Sequence, residues 1–264
     1  MTDFAAESGH WYTRAGEPAY EVPNKSKGGM RPTTVRDAKA LDLVPSVTTI
    51  TSLAAKPGLD IWKQRQVLLA ALTLPRIDGE DVDAFAVRVA ADSREQAKKA
   101  AERGTAIHAA IEQSFRGEPF AEECRPWVLR VRDALATRFY PASWAPERSF
   151  AAALGYGGKV DLWSSVGDGI VLDFKTKDGD LAGGIQVYDE QYMQLAAYRV
   201  GLGLPLARCA NVFISRDEPI VMVKEHSQAD LERGWAQFYC LLCFWHATHE
   251  RPLPKADILK EAMA

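Results

Sequence analysis

Residues 155–177, GYGGKVDLWSSVGDGIVLDFKTK, constrain the fold more than any other stretch. Charged residues interrupt two runs that otherwise have the composition of buried strand. SSVGDGI reads as the turn between them, with Gly167 near its centre. Asp161 and Asp173 are equally distant from Gly167, so an antiparallel hairpin sets them opposite each other, with Cβ atoms about 5 Å apart. Side chains alternate faces along a strand. Val160, Leu162, Leu172 and Phe174 then share an apolar face, and Lys159, Asp161, Asp173 and Lys175 share the other.

Two carboxylates that close do not both ionise unless positive charge lies between them. A divalent cation is the economical source, and an oxygen-rich site suits Mg²⁺ or Mn²⁺ better than zinc, which favours His and Cys. Such an ion lowers the pKa of its water and polarises a phosphoryl oxygen. Lys175 would orient that water or stabilise charge developing on the phosphate. The plainer alternative is a solvated strand face with an Asp–Lys pair on it. For a D-x-K alone, that alternative is the better reading.

Two further groups shift the balance. In RGTAIHAAIEQ, His108 and Glu112 are i,i+4 neighbours on one helix face, while Ile107 and Ile111 turn toward the core. In DEQYMQLAAYRVG, Gln194 and Tyr198 are i,i+4 partners just downstream of the hairpin. Each alone is an ordinary mixed helix face.

The rest of the chain supplies a helical first half and a strand-rich second half. Residues 1–40 are polar and locally basic (Lys25, Lys27, Arg31, Arg36, Lys39) and read as irregular structure or a short hairpin. Ser46 caps a helix start, Pro57 and Gly58 interrupt it, and the helix restarts over 59–72. A short acidic linker with a helix covers 76–92. A long helix runs from Ser93, its N-cap, to Phe115 and stops at Gly117. Another helix spans about 124–139 and ends before Pro141. Three strands, a helix over 189–201, two strands and a helix over 227–249 complete the chain. This order predicts an α+β or mixed α/β domain behind a helical N-terminal region, and 264 residues suffice for one large core.

Taken in order, G-T-x-x-H-x-x-x-E, G-x-x-D-L, D-F-K-T and Q-L-A-A-Y resemble the RecB-like branch of the PD-(D/E)XK nuclease superfamily. That branch includes phage-type exonucleases and the mitochondrial genome maintenance exonuclease group. The resemblance covers about residues 93–226, and PSVTTITSLAAKPGLDIWK is similar to a segment that precedes the core in those relatives. It implies a restriction-endonuclease-like core, a central mixed sheet flanked by helices, over 93–250. Residues 1–92 would be a basic and helical DNA-guiding region and 251–264 a tail.

The resemblance also implies roles. His108, Asp161 and Asp173 would be metal ligands with the backbone carbonyl of Phe174, and Lys175 the catalytic lysine. Gln194 and Tyr198 match the Q-x-x-x-Y element that supports the active site and contacts DNA. Glu147 stands where some relatives carry another acid, and Glu112 would be a supporting residue. Val160 precedes Asp161, so the literal Pro-Asp of the family name is missing. The activity implied is metal-dependent phosphodiester hydrolysis of DNA, by an exonuclease acting on ends or single strands in phage-type recombination or repair. The products would be 5′-phosphate and 3′-hydroxyl ends, and a recombination or annealing protein would be a companion. An endonuclease with the same site and a non-catalytic DNA-binding module are the alternatives.

The net charge of −3 leaves DNA to local basic patches. The basic N-terminal segment, Lys63, Arg65, Lys98, Lys99 and Arg103 are candidates for a cationic track. Ser46, Thr48, Trp62 and Lys159 join Lys63 and Arg103 as candidate DNA contacts, and Trp11, Tyr12, Trp62 and Trp163 as candidate stacking aromatics. Several RecB-like nucleases carry a four-cysteine iron–sulfur cluster, but Cys124, Cys209, Cys240 and Cys243 are badly placed for one. Cys240, Cys243, His246 and His249 recur every third residue, which turns them progressively around a helix and away from one tetrahedral ion. Buried structural thiols and no cluster are expected. With no apolar run long enough to span a bilayer and no signal-peptide pattern, a cytoplasmic location is expected.

Overall fold

The computed structural model describes residues 10–254, apart from 25, 27, 140–142, 180, 182 and 183. Lys25, Lys27 and Pro141 lie outside the described residues. The N-terminal part holds three short strands, β1 (Trp11–Tyr12), β2 (Glu21–Pro23) and β3 (Met30–Pro32). After these come helix α1 (Val35–Ala40), strand β4 (Val44–Pro45) and helices α2 (Val47–Thr51), α3 (Pro57–Thr73) and α4 (Val82–Arg116). A single 3-10 turn, Glu122–Cys124, leads into α5 (Arg125–Arg138). Then come β5 (Ala145–Ala152), β6 (Tyr156–Ser164), β7 (Ile170–Lys177), α6 (Asp189–Gly201), β8 (Arg208–Ser215), β9 (Val221–Glu225) and α7 (Gln228–Thr248).

β5 to β9 form one five-stranded mixed sheet in sequential order. β7 and β8 are parallel, joined by the α6 crossover, and the other neighbours are antiparallel. The apolar run of β7 is explained by burial on both faces. One face packs on α2, α6 and α7 through residues such as Val171, Leu195, Ala196 and Phe238. The other packs on α4 and α5 through Leu172, Phe174, Ile107, Ile111 and Val131. The fold is therefore three-layered and mixed α/β.

Several sequence expectations change. Ser93 is not an N-cap. α4 runs unbroken for 35 residues, Val82–Arg116, between the N-cap Asp81, whose side chain accepts from Ala84 N–H, and the C-cap Gly117 in the left-handed conformation (φ 74°). The helix passes through position 93 because no breaker stands there, and the 92/93 boundary falls inside it. α3 begins at Pro57, not at Leu59, since proline suits a helix's first turn. Among the described residues of the 1–40 segment, the short-hairpin reading holds and a helix is added to it. The hairpin is β2–β3 and the helix is α1, which a Thr34–Asp37 capping box starts. Trp11 and Tyr12 are buried through the pairing of β1 with β4, so neither is exposed for stacking. Among the described residues no helix is long and apolar enough to cross a membrane.

The hairpin at the centre follows the expected register only in part. Leu162 pairs with Leu172, Trp163 with Val171 and Ser164 with Ile170, all centred on Gly167. The side-chain alternation, however, shifts at Asp161. Tyr156 and Val160 face the α6/α7 core, whereas Leu162, two residues on, faces the α4/α5 core. On the other side of β6, Pro146 pairs with Leu162 and Arg148 with Val160. Glu147, the residue between them, has φ 56°. A non-glycine residue in that conformation cannot continue a flat strand. The kink lies level with Asp161, and Val160 consequently does not share a face with Leu162 and Phe174.

Candidate active site

β7, the central strand, contributes Asp173 and Lys175. Asp173 is almost fully buried and still carries a dense set of donors. Its Oδ1 accepts from Lys175 Nζ at 3.0 Å and from Gln194 Nε2 at 2.9 Å. Its Oδ2 meets Lys175 Nζ at 2.8 Å and accepts from Asn211 Nδ2 at 2.8 Å. Four contacts match the roughly four lone-pair positions of a carboxylate. Lys175 Nζ also donates to Gln194 Oε1 at 3.0 Å. Burial works against the Lys175 charge, but the Asp173 carboxylate beside it, with Asp161 and Glu190, holds its pKa above the ordinary lysine value. At neutral pH Lys175 is thus an ammonium, a stabiliser of negative charge and not a base.

Asp161 enters from β6 one residue beyond Leu162, where the pairing of β6 with β7 stops. Its Oδ2 accepts the Phe174 backbone N–H at 2.7 Å, so a side chain takes over from the ladder. Burial and then the charge of Asp173 push its pKa up to about 7, against the opposing pull of Lys175. The positive charge nearest this pair of acids is the Lys175 ammonium, which is ion-paired to Asp173 and acts on Asp161 only through its field.

α6 supplies the remaining polar wall. Gln194 Nε2 donates to Tyr198 Oη at 2.8 Å as well as to Asp173, so the i,i+4 pair acts as one bracket. Burial, with the charges of Asp173 and Asp161, raises the Tyr198 pKa and keeps the phenol protonated. His108, on α4, sets its ring edge-on to Phe174 with centroids 6.0 Å apart. Burial lowers its pKa, opposed by Asp173 and assisted by Lys175, so the imidazole is neutral and its nitrogen lone pair is available.

The other sequence candidates fall around this centre. Glu112 is half-buried and ion-paired to Arg116 at 2.6 Å on α4. Glu147 pairs with Lys159. Ser46 is buried and its hydroxyl accepts from Thr49 N–H as the α2 cap, while Thr48 is exposed. Ser46, Thr48, Lys159 and Tyr198 line one small cavity of about 200 Å³. Trp62 is 42% exposed on α3, and Lys63 and Arg65 are exposed beside it. Trp62 lines a larger groove of about 940 Å³ with Lys56, Lys177, Tyr188 and Arg216. Lys98 and Lys99 pair with Glu102 and Glu95. Arg103 donates to the Arg216 carbonyl and lies over Trp127. Trp163 is half-buried under Arg148. Of the cysteines, Cys124 and Cys209 are buried, but Cys240 is exposed and Cys243 half-buried. Cys240 is therefore not a buried thiol, because its helix position faces the groove and not the sheet.

Among the described residues, no three or more His, Cys, Asp and Glu side chains gather closely enough to hold a metal by themselves. The donor chemistry nonetheless fits a hard divalent cation. Asp161 and Asp173 bring carboxylate oxygens to one polar centre, and such oxygens are the ligands Mg²⁺ and Mn²⁺ take. Two residues of the network, Asn211 and His226, are not part of any sequence motif read above. The available signal was a polar Asn in the middle of the apolar run CANVFIS.

No family model matches the chain, and no curated protein matches it. Among solved structures, that of SSO0001 is similar over 43% of this chain and 56% of its own, at 21% identity. The chain thus spans just over half of that protein, and the TM-score of 0.25 is too low to assign either fold or function.

Proposed function

We propose that the protein is a metal-dependent deoxyribonuclease with a PD-(D/E)XK core, acting as an exonuclease on DNA ends or single strands. The observation that carries the reading is the hydrogen-bonded convergence of Asp173, Lys175, Gln194 and Tyr198, with Asp161 bonded into the same strand through Phe174. Residues from β6, β7 and α6, separated in sequence, form one polar centre in a largely apolar interior. Structure alone gives little reason to bury two carboxylates and a lysine there, since such pairs seldom repay their desolvation.

Asp161 and Asp173 would hold Mg²⁺ or Mn²⁺, with His108 as a further donor. That ion supplies Lewis-acid polarisation of the phosphodiester and an activated water. Lys175, fixed as an ammonium, neutralises charge that develops on the phosphate. Gln194 holds Lys175 and Asp173 in a common orientation, and Tyr198 locks Gln194. With both acids ionised, the two carboxyls and the one ammonium carry a net negative charge, which a divalent cation would offset. Products would be 5′-phosphate and 3′-hydroxyl ends.

The test is degradation of labelled single- and double-stranded linear DNA with Mg²⁺ or Mn²⁺, by the wild type and by Lys175→Ala. The wild type should degrade linear DNA and spare a closed circle, and Lys175→Ala should be inactive while remaining folded. Equal behaviour of the two proteins refutes the nuclease reading. Cleavage of the circle by the wild type makes the enzyme an endonuclease.

A further inference from the structure

Asp173 takes one of its hydrogen bonds from outside the D-x-K and Q-x-x-x-Y elements. Asn211 stands beside it in the parallel register of β7 and β8, fully buried, and its Nδ2 donates to Asp173 Oδ2 at 2.8 Å. With Nδ2 spent on a carboxylate, which only accepts, the other end of the carboxamide must accept from whatever meets it. That partner is His226 Nε2, 2.8 Å from Asn211 Oδ1. The ring proton of His226 is therefore on Nε2, and imidazole, amide and carboxylate form one directional chain.

His226 follows directly on β9 and is buried, with the Tyr192 ring edge-on at 4.9 Å. Its Nδ1 is buried and has no hydrogen-bond partner among the described residues. An acceptor stripped of water in this way is a cost that an apolar side chain of similar size would avoid. Burial also lowers the pKa of His226 to about 4, so the ring stays neutral and the chain keeps its direction at physiological pH. Stability alone does not account for such a residue.

The position of the chain explains it. Lys175 and Gln194 reach Asp173 from the partly open side of the site, where substrate must arrive, whereas Asn211 reaches it from the sheet interior. We propose that Asn211 and His226 are positioning residues for Asp173, fixing the plane of its carboxylate from within so that it stays oriented when Lys175 turns to a phosphate. This rests on the nuclease reading above and extends its site to two residues on β8 and after β9.

The experiment compares wild type, Asn211→Leu, His226→Leu and His226→Gln. Mn²⁺ binding is measured by calorimetry, kcat and KM on linear DNA are measured separately, and melting temperature controls for folding. Asn211→Leu and His226→Leu should weaken Mn²⁺ binding and lower kcat by about 10- to 100-fold, the usual range for a group that orients a ligand, with KM for DNA little changed. His226→Gln, which keeps an N–H at the Nε2 position, should recover most of the loss. In the wild type, ¹⁵N shifts of His226 should show the Nε2–H tautomer. The Nδ1–H tautomer overturns the proposal, and that reading survives even if a leucine variant fails to fold. Leucine variants that melt earlier but bind Mn²⁺ and turn over as the wild type does would overturn it too. A wild type that neither binds Mn²⁺ nor degrades DNA removes the nuclease reading and this proposal together, a pattern distinct from failure of the relay alone.

Discussion

Replacing Asp161 by asparagine should stabilise the metal-free protein, and by more as the pH rises. Asparagine can still accept the Phe174 N–H through its side-chain oxygen, so the bond that ties β6 to β7 is kept. What disappears is a carboxyl whose pKa stands at about 7 in the folded protein, against 3.8 for an unperturbed aspartate. Between pH 4 and pH 7 the unfolded chain has already lost this proton while the folded protein retains it, so folding of the wild type becomes less favourable as pH rises. Below pH 4 both states are protonated and nothing is lost. Above pH 7 the penalty levels off. Roughly three pH units at about 1.4 kcal/mol each set a ceiling of about 4 kcal/mol. Asp161 keeps a path to solvent and shares its titration with Asp173 and Lys175, so about 2 kcal/mol is the working figure. For a chain of this size that is about 4–8 °C in melting temperature. Circular-dichroism melts with chelator present, run for both proteins from pH 4 to pH 8, read the difference directly. It should be near zero at pH 4 and reach its plateau above pH 7. A difference that is flat across this range, or that shrinks as pH rises, refutes the account of Asp161 as a carboxyl destabilised by burial and by Asp173.

Gly234 lets α7 approach α6 closely, since a Cβ there would lie 2.6 Å from the Tyr192 backbone. Gly234→Ala should cost about 1–3 kcal/mol in denaturant unfolding, the range for overpacking a rigid contact. Trp62→Ala, at an exposed position on α3, should leave the melting temperature nearly unchanged. By fluorescence anisotropy it should weaken single-stranded DNA binding by about 1–3 kcal/mol, as loss of one stacked base does.

Much of the site was legible because its parts are local. The centre of the hairpin on Gly167, the i,i+4 pairing of Gln194 with Tyr198, and the inward turn of Ile107 and Ile111 all follow from short-range periodicity. What escaped was non-local. The break in alternation at Asp161 depends on Glu147, a residue of the neighbouring strand held at positive φ, and no pattern within β6 announces it. Asn211 joins Asp173 only through the parallel register that the α6 crossover creates, so a strand reading of CANVFIS sees one tolerated polar residue. Ser93 carries the chemistry of a cap but lies inside a helix whose true cap, Asp81, presents the same chemistry about three turns earlier. Trp11 and Tyr12, candidate stacking aromatics by residue type, give no local sign of what covers them. Their pairing with Val44 and Pro45 buries them.

The unbroken run of α4 from Val82 to Arg116 has a geometric consequence. At about 1.5 Å per residue the helix is roughly 50 Å long, and His108 rides near one end while α3 packs along part of its length. The apolar side chains of α3, among them Leu72 at 83% exposure, are thereby set at a fixed angular phase to the imidazole. Adding or removing one residue between them would turn that phase by about 100°, whereas a change of seven residues, close to two whole turns, would nearly restore it. A length change in this helix that preserves the phase therefore comes in turns and not in single residues.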